Sequence, residues 1–223
     1  MKERIGAIDA WGTLITKEGA TRWPDSFHHI FKRYKSGPKM TEGQEVEEMI
    51  AEMDEANVDV VVLSSFEYDG VVVLSNQEVA DLVKKSPKRF VGCGTVEPRQ
   101  KPMKVLDDIK RMVEEHDMVA LRLEPYAYGD GMTGRPPNHK MYWPIYAKCC
   151  ELDLPVTLQV GHTGPLLPSE PGRPIYLDEV ALSFPELTLI GAHLGQPWHE
   201  EMMILAWKHP NVYIETSARA PQF

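Results

Sequence analysis

The chain has 223 residues, 43% hydrophobic and 26% charged, which is the balance of a globular protein and not of a disordered or fibrous one. Its formal charge of −9, with no basic run as a local exception, argues against a partner held mainly through nucleic-acid phosphates or anionic lipid. No stretch approaches the roughly 18 uninterrupted apolar residues of a membrane helix, and Met1-Lys2-Glu3-Arg4-Ile5 runs into a strand-like segment without the apolar core of a signal peptide.

In chain order, the hydrophobic periodicity predicts a strand over Ile5–Trp11, a long polar segment over Gly12–Gly43 and a helix over Gln44–Asn57. Strand and helix then alternate: Val58–Ser65 with Asn76–Ser86, Arg89–Pro98 with Met103–His116, and Met118–Tyr126 with Met141–Leu152. Pro155–His162 with Ile175–Phe184, Leu187–Gly195 with Trp198–His209, and a last strand Val212–Ala218 complete the series. The spacing of about 30 residues is that of one βαβ unit. Breakers such as Ser86-Pro87 and Pro210-Asn211 mark short turns from helix to strand, whereas the Gly/Pro-rich segments Tyr126–Lys140 and Gly161–Arg173 follow strands. Long loops after strand C-termini are where α/β barrels build their active sites. An open doubly wound sheet is disfavoured, because Asp9-Ala10-Trp11-Gly12-Thr13 after the first strand is unlike a phosphate-binding GxGxxG.

The fold class expected is therefore α/β, a (β/α)8 TIM barrel forming one domain over residues 1–223. It would have seven βα units and lack the eighth. Seven strands leave two open edges, so a C-terminal continuation, a completing second chain or a homo-oligomer is expected. Cys93, Cys149 and Cys150 are odd in number and lack metal-type spacing, which fits buried reduced thiols in a cytoplasmic protein.

The most informative residues are Gln159-Val160-Gly161-His162-Thr163-Gly164-Pro165 and Leu189-Ile190-Gly191-Ala192-His193-Leu194-Gly195. Two histidines, each ending a consecutive strand before a glycine-containing turn, would both face the catalytic end of a parallel barrel.

These segments, with Ala7-Ile8-Asp9-Ala10-Trp11, the block Leu177–Glu186 and Asn211-Val212-Tyr213-Ile214-Glu215-Thr216-Ser217, resemble the amidohydrolase-related family. Its members include decarboxylases, hydratases and hydrolases of small carboxylated compounds. The resemblance implies that His193 is the general acid/base. It also implies a first-strand His-x-His metal pair, but Trp11 and Thr13 stand at those positions, and only His162 matches a ligand position. The fourth ligand of such relatives, an aspartate after strand eight, would fall beyond residue 223. A divalent site for Zn or Mn is thus either absent or rebuilt, with Asp9 and Glu124 as the carboxylates able to join His162. Against that, Asp9 can bond backbone and Glu124 can pair with Arg122. Trp11 and Trp198 are candidate pocket walls, Trp198 alternatively packing on the barrel rim. Arg122 and Arg219 are candidate carboxylate clamps or structural ion pairs. His199 and Glu200 open a helix, where acidic side chains suit the dipole in any case.

The expected activity is hydrolysis of a small carboxylated or carbonyl-containing substrate, with His162 either holding a metal or polarising a substrate oxygen. Non-oxidative decarboxylation or hydration is the alternative, and a catalytically silent barrel serving as a binding or assembly subunit is a third reading. The expected partner is a small molecule, with neither nucleic acid nor membrane involved.

Overall fold

The computed structural model describes residues 6–33, 37–129 and 133–218. Seven strands form one parallel sheet: β1 (Ala7–Gly12), β2 (Val58–Ser64), β5 (Phe90–Thr95), β6 (Met118–Leu123), β7 (Val156–Leu158), β8 (Leu189–Gly191) and β9 (Val212–Ile214). Their spatial order is their sequence order, β1-β2-β5-β6-β7-β8-β9, and every pair is parallel. Helices α4 (Val46–Ala56), α5 (Asn76–Lys85), α6 (Pro102–Glu114), α7 (Trp143–Glu151), α8 (Leu177–Ser183) and α9 (His199–Lys208) make the crossovers.

Local chemistry sets these boundaries. Ser75 and Glu78 form a reciprocal capping box at the start of α5. Asn57, Asp117 and Asp153 adopt positive φ at the turns that lead into β2, β6 and β7, a conformation that Asn and Asp tolerate better than other side chains. The main core is the layer between sheet and helices, built from residues such as Leu63, Phe90, Ile109, Leu121, Tyr146 and Leu189, all essentially inaccessible.

The sheet curls strongly. In a flat sheet, β1 and β8 would lie about 24 Å apart, five spacings of ~4.8 Å. Instead the Trp11 ring at the end of β1 meets the His193 ring just after β8, with 5.3 Å between centroids. β1 and β9 are the two edge strands. Ile8 on β1 is 68% exposed and Tyr213 on β9 is 54% exposed.

Two segments depart from the periodicity. Gly12–Gly43, expected as a polar loop, contains three short helices, α1 (Lys17–Ala20), α2 (Asp25–Phe31) and α3 (Gly37–Glu42). An unforeseen hairpin, β3 (Phe66–Tyr68) and β4 (Val71–Leu74), turns through Asp69-Gly70, both at positive φ. Trp23, Phe27, Phe31 and Phe66 pack together and join these pieces into a second, aromatic cluster. The later strands are also shorter than expected. β7 ends at Leu158 and β8 at Gly191, so His162 and His193 stand in the loops beyond them. No helix among the described residues is long and apolar enough to cross a membrane.

Candidate active site at the C-terminal end of the sheet

Burying a polar group without a partner is costly, so its location is informative. Apart from Gln44 and His209, the buried polar side chains all belong to the C-terminal ends of β2, β5, β6 and β7: Ser64 and Ser65, Thr95 and Glu97, Arg122 and Glu124, Thr157 and Gln159. The opposite end of the sheet carries no comparable row among the described residues.

Arg122 occupies the centre of this end. Its guanidinium lies over two rings, 4.1 Å from the Trp11 centroid and 5.3 Å from that of Phe66. Its Nε donates to Glu124 Oε1 at 2.5 Å, and both residues are almost fully buried. Burial raises the Glu124 carboxyl above its ordinary range, and the adjacent guanidinium offsets part of that rise. Three buried polar atoms here lack hydrogen-bond partners: Arg122 Nη1, Glu124 Oε2 and Thr157 Oγ1. Arg122 and Thr157 are register partners across β6 and β7, so their side chains rise from the same face of the sheet on neighbouring strands.

His193 follows β8 in a left-handed conformation, φ 58°, as does Leu194 after it, an uncommon and costly backbone for either side chain. The ring is held on both sides. Nε2 lies 2.7 Å from Gln159 Oε1, and Nδ1 lies 3.1 Å from the Ser217 carbonyl and 2.9 Å from Ser217 Oγ. A carbonyl only accepts, so Nδ1 carries a proton; the Gln159 oxygen is an acceptor as well, so in this arrangement Nε2 donates to it, and Nε2 can give up that proton only as the Gln159 amide turns. Gln159 also donates from Nε2 to the His162 carbonyl at 3.4 Å, which links the two histidine loops.

His162 is at the same end of the sheet but exposed, with its Nδ1 3.4 Å from the Gln196 carbonyl and its backbone N–H donating to that oxygen at 2.7 Å. Gly161 makes this approach possible. Its φ is +93°, and a Cβ there would come within 2.4 Å of the Gln196 carbonyl oxygen.

The remaining expected residues fall as follows. Asp9 is exposed and accepts from the Trp11 N–H at 2.9 Å, so it bonds backbone instead of turning to His162. Glu124 is committed to Arg122, again the structural alternative. Trp198 precedes α9, and the Arg173 guanidinium meets its ring at 5.9 Å, which is the rim-packing arrangement. His199 and Glu200 are exposed at the start of α9. Arg219 lies outside the described residues. Gln159, Glu215 and Ser217 stand inside the quoted sequence segments, but no individual role is expected of them from sequence. The signal that could have found them is position, since each is a polar residue just past a strand's C-terminal end.

The described residues do not fit a divalent metal. Trp11 and Thr13 offer no competent zinc ligand, and Asp9 is engaged elsewhere. A cation beside Glu124 would face the Arg122 guanidinium. Among the described residues, no group of three or more His, Cys, Asp or Glu side chains is arranged to hold an ion.

The Amidohydrolase family model matches residues 25–222. The chain belongs to the amidohydrolase family. Curated proteins provide no match to this amidohydrolase. Among solved structures, it is similar to an uncharacterized TIM-barrel protein from Bordetella bronchiseptica, at 22% identity and TM-score 0.78, over 95% of this chain and 75% of the other. A dihydroxybenzoic acid decarboxylase from a Polaromonas species, solved with manganese and 2-nitroresorcinol, aligns at 20% identity and TM-score 0.69, over 96% and 79%. A probable 2-pyrone-4,6-dicarboxylic acid hydrolase from Acinetobacter baumannii, solved with citric acid, aligns at 15% and 0.61, over 96% and 71%. At these identities the likeness is one of fold, and the amidohydrolase fold hosts more than one chemistry.

Proposed function

We propose that this amidohydrolase-family enzyme hydrolyses a small substrate bearing a carboxylate and a susceptible carbonyl, without a catalytic metal. The observation that carries this reading is the row of orphaned polar atoms, Arg122 Nη1 and Thr157 Oγ1, at the same sheet end as His193. Arg122 is a fixed cation, and a substrate carboxylate would satisfy its free N–H together with the Thr157 hydroxyl. In the neutral ring, with the Gln159 amide turned from it, His193 Nε2 then accepts a proton from water as the water oxygen bonds to the carbonyl carbon. The same nitrogen returns the proton to the leaving oxygen or nitrogen as its bond to carbon breaks. The Trp11 indole forms a wall between the clamp and the imidazole.

The test is a screen of lactones, esters, amides and aromatic acids, followed by His193→Ala on the substrate found. The expected result is hydrolysis that falls by about 10²-fold or more in His193→Ala with an unchanged circular dichroism spectrum, and well under one equivalent of metal in active protein. Release of CO2 from an aromatic acid with no hydrolytic turnover would overturn the hydrolytic reading. Activity that requires one tightly held ion would overturn the metal-free one.

A further inference from the structure

The turn that presents His193 is clasped from the next strand. Glu215, at the end of β9, accepts three hydrogen bonds with one carboxylate. Its Oε1 takes the Ser217 N–H, while Oε2 takes the Ser217 hydroxyl at 2.5 Å and the His193 backbone N–H at 3.4 Å. Its main chain adds two more ties: the Leu194 N–H donates to the Glu215 carbonyl at 3.0 Å, and the Glu215 N–H to the Gly191 carbonyl at 2.9 Å. Because the Ser217 hydroxyl gives its proton to Glu215, its lone pairs face His193 Nδ1, 2.9 Å away. The Ser217 carbonyl, 3.1 Å from the same nitrogen, is also an acceptor. Everything Glu215 organises around Nδ1 therefore requires a proton on that nitrogen, and the same carboxylate helps hold His193 and Leu194 in their left-handed backbone.

We propose that Glu215 is a positioning residue, which acts through Ser217 to keep a proton on His193 Nδ1 and so confine proton exchange to Nε2, the nitrogen that faces Gln159. This inference rests on the reading of His193 as the general acid/base, but the tautomer can be observed without any substrate. A carboxylate is needed because all three partners are donors; an amide of the same shape would turn its own N–H groups toward at least one of them.

The test is the two-bond proton–nitrogen correlation spectrum of full-length protein labelled at histidine, with the His193 signals assigned by their loss in His193→Gln. The expected pattern is a proton on Nδ1 at every pH, with Nε2 protonated while it donates to Gln159 Oε1 and bare only once the ring is neutral and the Gln159 amide has turned. Glu215→Gln should mix the two tautomers and lower kcat by about ten- to a hundred-fold, within what general acid–base catalysis contributes, with KM nearly unchanged. Ser217→Ala should reduce kcat less, since the carbonyl acceptor remains, and Ser217→Thr should restore it. If Glu215→Gln fails to fold, Ser217→Ala and Ser217→Thr carry the test through the same spectrum. A wild-type ring with its proton on Nε2 and a bare Nδ1, or variants with an unaltered tautomer and kcat, would overturn the proposal. Undiminished turnover in His193→Gln would instead remove the acid/base reading and leave the tautomer result standing.

Discussion

Arg122 shows how one side chain serves both packing and chemistry. A guanidinium over two aromatic rings gains cation–π attraction, and its ion pair with Glu124 compensates two charges that burial alone would penalise. Removing one partner of such a pair leaves the other uncompensated, so Arg122→Met should destabilise the fold by about 3–5 kcal/mol, measured by urea denaturation. The loss should depend on pH in a definite direction. Burial already holds the Glu124 carboxyl above its ordinary range, and without the guanidinium the folded protein would bind that proton more tightly still. A carboxyl raised in the folded state contributes stability below the unfolded carboxyl range that is lost as pH rises through the folded value. Arg122→Met should therefore lose more stability between pH 5 and pH 8 than the wild type does. Equal pH slopes for the two proteins would refute the account of Glu124. The cysteines illustrate the opposite extreme: burial pushes the Cys93 thiol up to about 11 and raises Cys149 further, which leaves both as inert packing residues.

Among the elements, α5 has an N-terminus specified by nearby side chains. The Ser75 side chain accepts from the Glu78 N–H at 3.2 Å, Glu78 returns a bond to the Ser75 N–H at 2.8 Å, and Arg22 from the segment after α1 pairs with Glu78 at 2.8 Å. Ser75→Ala should cost about 1 kcal/mol, the usual value of an N-cap, and Ser75→Asp should recover most of it. A loss below a few tenths of a kcal/mol in thermal unfolding would show that Arg22 and the core hold this end unaided. At the other side of the fold, Asp178 ties α8 to α9: Lys208 and His209 both reach it at 2.6 Å and keep its carboxyl below the usual range. Asp178 lies within the block Leu177–Glu186 that carries part of the family resemblance, and its contacts are those of a brace between helices.

For the whole molecule, the curled parallel sheet divides into a protected middle and two open margins. β6 and β7 are paired on both sides and covered by helices, whereas β1 and β9 each have one neighbour in the sheet. Amide hydrogen exchange should therefore be slowest in Leu121–Leu123 and Val156–Leu158 and markedly faster in Ala7–Gly12 and Val212–Ile214. Comparable protection in all four segments would mean that the margins are covered in solution, and a solution mass would then tell self-association from a monomer.

The alternation of β-branched runs with amphipathic helices, closed by turn residues, was enough to set the order and parallel sense of all seven sheet strands. Those signals are local, and a parallel βα repeat has few ways to arrange itself. The same logic brought His162 and His193 to one end of the sheet, because both follow strand C-termini. The aromatic helices inside Gly12–Gly43 were not legible, since pieces of four to seven residues leave no stable period, although the Asp69-Gly70 hairpin turn could have been read from its own chemistry. What only the tertiary structure decided is which polar residues meet. Curling carries Trp11 from the first strand across to His193, sets Arg122 beneath it, and turns Glu215 and Ser217 back onto the imidazole. His162, equivalent to His193 along the chain, is left exposed to solvent. These contacts join residues up to 182 positions apart (Trp11 to His193), a separation at which periodicity and spacing carry no information about side-chain direction.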